Sequence, residues 1–306
     1  MPRNSFREIM RYLETDTFAL VSEVWGAFVQ NCVASYKPGV NIAVEEQWFP
    51  AKAKCSFTQY IPYKQDKWGM KFRLAADVHS KYVLNVFPYL GKGEQPENVV
   101  MRLVEPYLGE GRNVNTDDFF TSLPLANKLI DKNTSLVGVI EASRGLPPSV
   151  SNQAQAELFS TTVLKHDKAT LTVYRCKPRE NVCILSTMHP TVAIGGDTKR
   201  KTETLTHYNN TTVGVDKMAR QFTVKAATQR WPVAVFYNLL DLAAINAHVL
   251  FTLCTGRTMP RREFIMQLVL ELRENHIRAG GKAAAHDVPN DAPPLSEKNI
   301  QCQVHG

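Results

Sequence analysis

Apolar positions near the start of the chain recur at helical spacing. Phe6, Ile9, Met10 and Leu13 fall on one face, as do Phe18, Val21, Trp25, Phe28 and Val29, which predicts helix from Pro2 to about Ser35. Pro38-Gly39 breaks that period, and Asn41 to Val44 begins an extended segment. Met70 to Ala76 and Tyr82 to Pro88 read as a hairpin with turn chemistry at Asp77-Val-His-Ser80. A short strand around Asn113 to Asn115 runs into Asp117-Asp118. A helix follows, with Ser122 as N-cap, Pro124 in the first turn and Leu125, Leu129 and Ile130 facing inward. Leu136 to Ile140, short and β-branched, reads as a buried strand. From about Arg144 to Tyr208 the character changes to β-rich segments, Thr170 to Cys176 and Asn181 to Thr187, set among Pro, Gly, Asn and Lys. Trp231-Pro232 then opens a long helix. A last amphipathic helix runs from about Pro260 to His276, with Gly280-Gly281 as its stop and an unstructured tail through Asp291-Ala-Pro-Pro294.

The long apolar stretch from Val233 to Cys254 is interrupted by Asn238, Asp241, Asn246 and His248, polar groups that hydrocarbon would strand. It reads as a core helix, with Asn246 and His248 in a packing network, and no membrane partner is expected. The opening MPRNSFREIMRYLETD lacks the apolar run of a secretory signal. None of the six cysteines, Cys32, Cys55, Cys176, Cys183, Cys254 and Cys302, forms a C-x-x-C pair, so neither zinc nor a disulfide framework is expected. These features point to a reducing, intracellular setting. A net charge of +7 suits a protein that meets a polyanion, because Lys and Arg on phosphates release counterions.

Carboxylates at strand ends, joined by another on a late helix, can gather divalent ions. Candidates by position are Glu45 or Glu46, Asp117 or Asp118, and Asp216. By pattern alone each is more often a solvated turn or cap residue. Lys52, Lys54, Lys64, Lys67 and Lys71 are interleaved with Phe57, Tyr60, Tyr63 and Trp68. That pattern is either a solvated surface or a nucleic-acid contact. Lys225, Arg230 and Lys199-Arg-Lys201 are weaker versions of it.

The segment from AVEEQWFPAKAKCSF through QYIPYKQDKWGMKFRLAADVHSKY to YLGKGE resembles the block that opens the catalytic domain of piggyBac transposases. VNTDDFFTSLPLANKL resembles their second aspartate block, and STMHPT, HYNNTTVGVDKMARQFTVK and RWPVAVFYNLLDLAAINA resemble their late blocks. The order is colinear from about Pro2 to Arg273. The resemblance implies an α/β fold: a ribonuclease-H-like DDE transposase core with a β-rich insertion, plus N-terminal helices. The expected division is 1–37 as a helical remnant, 38–143 and 209–279 as the two parts of the core, 144–208 as the insertion, and 280–306 as a tail where a cysteine-rich domain would start. It also implies a nuclear protein acting on duplex DNA, with no small-molecule substrate, and a homodimer is one arrangement it allows. The implied activity is cut-and-paste transposition at TTAA sites with Mg2+. Glu45, Asp117 and Asp216 would be catalytic and metal-binding, and Lys52, Lys54, Lys64, Lys67, Lys71 and Arg230 would meet DNA.

Three departures bear on that activity. Glu45 stands where the family has aspartate, which moves a carboxylate by a methylene, and a shift of about 1 Å can cost on the order of a hundredfold in rate. Asp117 is intact, with Asp118 where asparagine is usual. The family's GVDxxDQMxR, with two aspartates one turn apart, is shortened to Gly214-Val-Asp-Lys-Met-Ala-Arg220. Asp216 then matches either the third or the fourth family aspartate. A three-residue deletion turns everything beyond it by about 300° around a helix. The expectation is a transposase-derived protein with weak or lost strand transfer. The alternative is a non-catalytic DNA-binding or chromatin-associated protein.

Overall fold

The computed structural model describes residues 18–141 and 157–286, apart from positions 54, 92, 179 and 197. The first expected helical face, Phe6 to Leu13, and the tail through Pro294 lie outside the described residues. Helix α1 (Ala19–Ser35) carries the second face. The strands are β1 (Asn41–Pro50), β2 (Gln59–Tyr60), β3 (Trp68–Asp77), β4 (Val83–Pro88), β5 (Asn113–Thr116), β6 (Ser135–Val139), β7 (Thr161–His166), β8 (Ala169–Lys177) and β9 (Glu180–Ser186). The other helices are α2 (Pro96–Val104), α3 (Leu123–Ile130), α4 (Glu203–Asn210), α5 (Val215–Gln221), α6 (Trp231–Thr255) and α7 (Arg261–His286).

All the described strands share one mixed sheet. β1 lies inside it, antiparallel to β3 and parallel to β5, and β5 is in turn parallel to β6. β4 and β2 pair with β3, and β9, β8 and β7 extend the sheet beyond β6 in antiparallel order. This is the mixed α/β core expected from the resemblance. The expected β-rich stretch thus contributes a meander that hydrogen-bonds directly onto the core sheet. Its outer strand β7, mostly exposed, has too little apolar alternation to be read from sequence.

The hairpin forms where the pattern placed it. Asp77 makes its turn: Oδ2 accepts from Ser80 N and Ser80 Oγ at 2.7 Å, while Oδ1 accepts from Gly39 N at 2.9 Å. Strand β3 is buried along nearly its whole length because helices cover both faces of the sheet there. On one face Ile42, Val44, Leu84, Val100, Leu103, Leu125 and Leu129 pack together. On the other, Ala43, Phe49, Phe72 and Leu74 meet Val215 of α5 and Ala234, Leu242 and Ile245 of α6.

Helix α6 is long and apolar enough to cross a membrane. Its polar residues are instead bound within the fold. The Asn238 amide exchanges hydrogen bonds with that of Gln47 at 2.8 and 3.1 Å. Asn246 accepts from Val83 N and donates to Val83 O, and Asp241 accepts from Thr223 Oγ1 and Val224 N. Buried amides matched to backbone in this way fix the register of α6 on the sheet.

Ser122 is the N-cap expected for α3, accepting from Leu125 N at 3.2 Å while its hydroxyl donates to Glu97 Oε1 at 2.8 Å. Ser122→Ala should therefore cost about 1 kcal/mol, read as a shift in the urea midpoint; no shift would mean the cap is idle.

The chain divides into two compact units, 1–257 and 258–306. In the second, α7 continues to His286, past the Gly280-Gly281 pair expected to end it. Two glycines cost a helix about 1 kcal/mol each, and Lys-Ala-Ala-Ala directly after them favours continuation.

Candidate functional site

Val44 of β1 lies opposite Thr116 of β5 in parallel register. The next residues, Glu45 and Asp117, therefore stand side by side beyond the carboxyl end of β5, the end at which open α/β sheets form ligand crevices. Both line a cavity of about 220 Å3 with Tyr208, Thr211 and Gly214.

The Asp117 turn is rigid. Oδ1 accepts from Phe119 N at 3.1 Å and Phe120 N at 3.3 Å, and Thr121 Oγ1 donates to Asp117 O at 2.6 Å. The Thr116 and Thr121 hydroxyls, 2.7 Å apart, press against Gly138. A Cβ there would fall 2.2 Å from Thr121 Oγ1, so only glycine lets β6 approach this closely.

Glu45 reaches away from Asp117's turn and toward α5. Its Oε1 accepts from Val213 N at 2.7 Å and Gly214 N at 3.1 Å; its Oε2 accepts from Gly214 N at 3.1 Å and lies 3.4 Å from Val215 N. Gly214 N and Val215 N are among the amides that a helix leaves unpaired at its N-terminus, Val213 N immediately precedes them, and a carboxylate suits all three. Gly214 takes φ 68°, the left-handed conformation that turns successive N–H groups onto one anion. Glutamate's extra methylene, read from sequence as a misplacement, gives the side chain the reach to cap α5 from β1.

Burial raises the Asp117 carboxyl to about 6, and the negative charge of Glu46 adds to the effect. Glu46 points to the opposite face of β1 from Glu45, with Oε1 3.1 Å from Arg73 Nη2 and Oε2 3.4 Å from Lys71 Nζ. Arg73 is buried, with its guanidinium against the rings of Tyr89, Phe119 and Phe120. It braces the turn that carries Asp117. Sequence reading passed over Arg73, although a charge amid MKFRLAAD breaks an otherwise apolar run. Tyr208 was missed as well. Burial first, then the charges of Asp117, Asp118 and Glu45, raise its hydroxyl to about 12, so it faces this cavity as a neutral donor.

Asp216 is placed elsewhere. Its Oδ1 accepts from Arg220 Nε at 3.2 Å, and Arg220 also donates to Trp48 O at 2.9 Å. It lines a separate cavity of about 210 Å3 with Trp48, Asp66 and Asp241. Burial raises its carboxyl, with Arg220 acting in the other direction. The structure thus brings Glu45 and Asp117 to one cavity and leaves Asp216 in another.

These donors do not fit a pair of divalent ions. Glu45's oxygens are committed to backbone amides, Asp216 is held by a guanidinium, and Asp117 Oδ1 already accepts from the amides of Phe119 and Phe120. Among the described residues no group of three His, Cys, Asp or Glu is placed to hold a metal ion. Two-metal chemistry needs carboxylates that clamp ions roughly 3.5–4 Å apart.

The expected DNA-contact lysines separate likewise. Lys52 and Lys67 line an open groove of about 810 Å3 with Trp68 and Lys225. Lys64 and Arg230 are exposed. Lys71 instead faces Glu46, and Lys54 lies outside the described residues.

A family model described as Transposase IS4 matches residues 1–248. The chain belongs to the piggyBac-type DDE transposase family. The solved structure of a piggyBac transposase synaptic complex with hairpin DNA aligns at 28% sequence identity and a TM-score of 0.78, over 97% of this chain and 67% of that one. Chemistry in DDE transposases depends on divalent metal.

Proposed function

We propose that this chain is a DNA-binding protein of piggyBac descent whose metal-dependent strand cleavage is lost or very weak. The observation that carries this reading is the capture of Glu45 by the amides of Val213, Gly214 and Val215. A ligand committed to four amide contacts must break them before it meets an ion, and Asp216 adds a second rearrangement. The ancestral activity in this reading is cut-and-paste transposition at TTAA sites in the nucleus. The basic groove of Lys52, Lys67 and Lys225 supports retention of DNA binding, and that binding should weaken steeply with salt.

The test is excision of a TTAA-flanked element from a plasmid in the presence of Mg2+ or Mn2+, with duplex binding measured in parallel. The expected result is salt-sensitive binding with no detectable excision, and binding unchanged in Asp117→Ala. Robust excision would overturn the loss of cleavage, and absence of duplex binding at moderate salt would overturn the retained role.

A further inference from the structure

The groove of Lys52, Lys67 and Lys225 has a feature that backbone neutralisation does not call for. Trp68, at the start of β3, leaves 53% of its surface exposed on the groove wall, although tryptophan is usually covered. Trp25, Trp48 and Trp231 are each 5% exposed or less. Tyr60 of β2 packs beside Trp68 with ring centroids 5.0 Å apart and planes inclined at 54°, bracing it from one side. The ammonium of Lys225, which also lines the groove, lies 5.5 Å from the centroid of the Phe49 ring. Among the described residues Asp66 is the one acid on the lining, and Arg220 at 4.0 Å offsets it.

A braced, exposed indole beside three ammonium groups matches the two needs of unpaired nucleic acid, a flat partner for a base and cations for the flanking phosphates. A duplex keeps its bases stacked inside and has no use for such a platform. We propose that this groove takes an unpaired stretch of DNA, one base stacking on Trp68 and the adjoining phosphates meeting Lys52, Lys67 and Lys225.

The proposal rests on the DNA-binding reading above, and its test separates the two. Trp68 is the exposed tryptophan of the four, so intrinsic fluorescence reports on it directly. A short oligothymidylate should quench that signal, whereas a duplex of equal length should quench little. By anisotropy of labelled oligonucleotides, a readout that survives loss of the indole, Trp68→Ala should weaken the oligothymidylate about tenfold and leave duplex affinity within about twofold, and Trp68→Phe should recover most of the loss, because the stacking face is what matters. The triple variant K52Q/K67Q/K225Q should reduce the salt slope for the single strand by about two, at roughly 0.7 per phosphate released. Duplex binding with no quenching by the single strand, equal loss of both forms in Trp68→Ala, or an unchanged salt slope would overturn the proposal while sparing the DNA-binding reading. Failure to bind either form would overturn both.

Discussion

Glu45→Ala is expected to destabilise the protein by about 3 kcal/mol, an effect that a solvated catalytic carboxylate would not produce. Charge-assisted hydrogen bonds contribute roughly 1.5–3 kcal/mol each, and the deletion leaves the amides of Val213, Gly214 and Val215 without their acceptor. Val215 and Ala219 of α5 are buried against the sheet, so loosening the cap also loosens that packing. Glu45→Asp, which restores the residue usual in the family, should cost about 1–2 kcal/mol and return no excision, because the shorter side chain falls short of α5. Guanidinium unfolding gives the energies, and hydrogen exchange at residues 213–215 gives the location. Variants as stable as the parent, or an aspartate variant that regains excision, would show that Glu45 is a ligand in waiting and not a cap.

Asp117→Asn should act in the opposite sense, raising stability at pH 7 by on the order of 3 kcal/mol, since each unit of carboxyl shift corresponds to about 1.4 kcal/mol. The folded carboxyl titrates at about 6 against an ordinary 3.8. Between those two values the folded protein holds a proton that the unfolded chain has released. Stability therefore falls as pH rises through that window, and the penalty is complete above about 6. Asparagine keeps the side-chain oxygen that accepts from Phe119 and Phe120 while removing the charge near Glu46. The measurement is the unfolding midpoint against pH for both proteins: the parent should lose stability from pH 4 to pH 6.5, and the variant should be flatter. If Mg2+ at millimolar concentration reversed the order of the two, Asp117 would be holding an ion after all.

Much of the fold was legible because its signals are local. The hairpin, the Ser122 cap, the Trp231-Pro232 helix start and the strands flanking Asp117 each declare themselves within a few residues. The segment 144–208 showed its β character, yet nothing local said that β9 would pair with β6 and so continue the core sheet. The polar residues of α6 were legible as core groups because Asn238, Asp241, Asn246 and His248 interrupt an apolar run. Their partners, Gln47, Val83 and Thr223, lie on three other segments that no spacing rule connects to them.

The carboxylates divide along the same line. By itself the sequence determined which acidic residues stand at strand ends, that the chain resembles a DDE transposase, and that Glu45 and the Gly214–Arg220 segment depart from that pattern. Those are statements about residue type and order. Only the tertiary structure decided that Glu45 spends its charge on the amides of residues 213–215 and that Asp216 turns to Arg220 in another cavity. The physical reason is reach and competition. A carboxylate goes to whichever donors its tether lets it meet, and an uncapped helix N-terminus 168 residues away in sequence is invisible until the chain folds it into place.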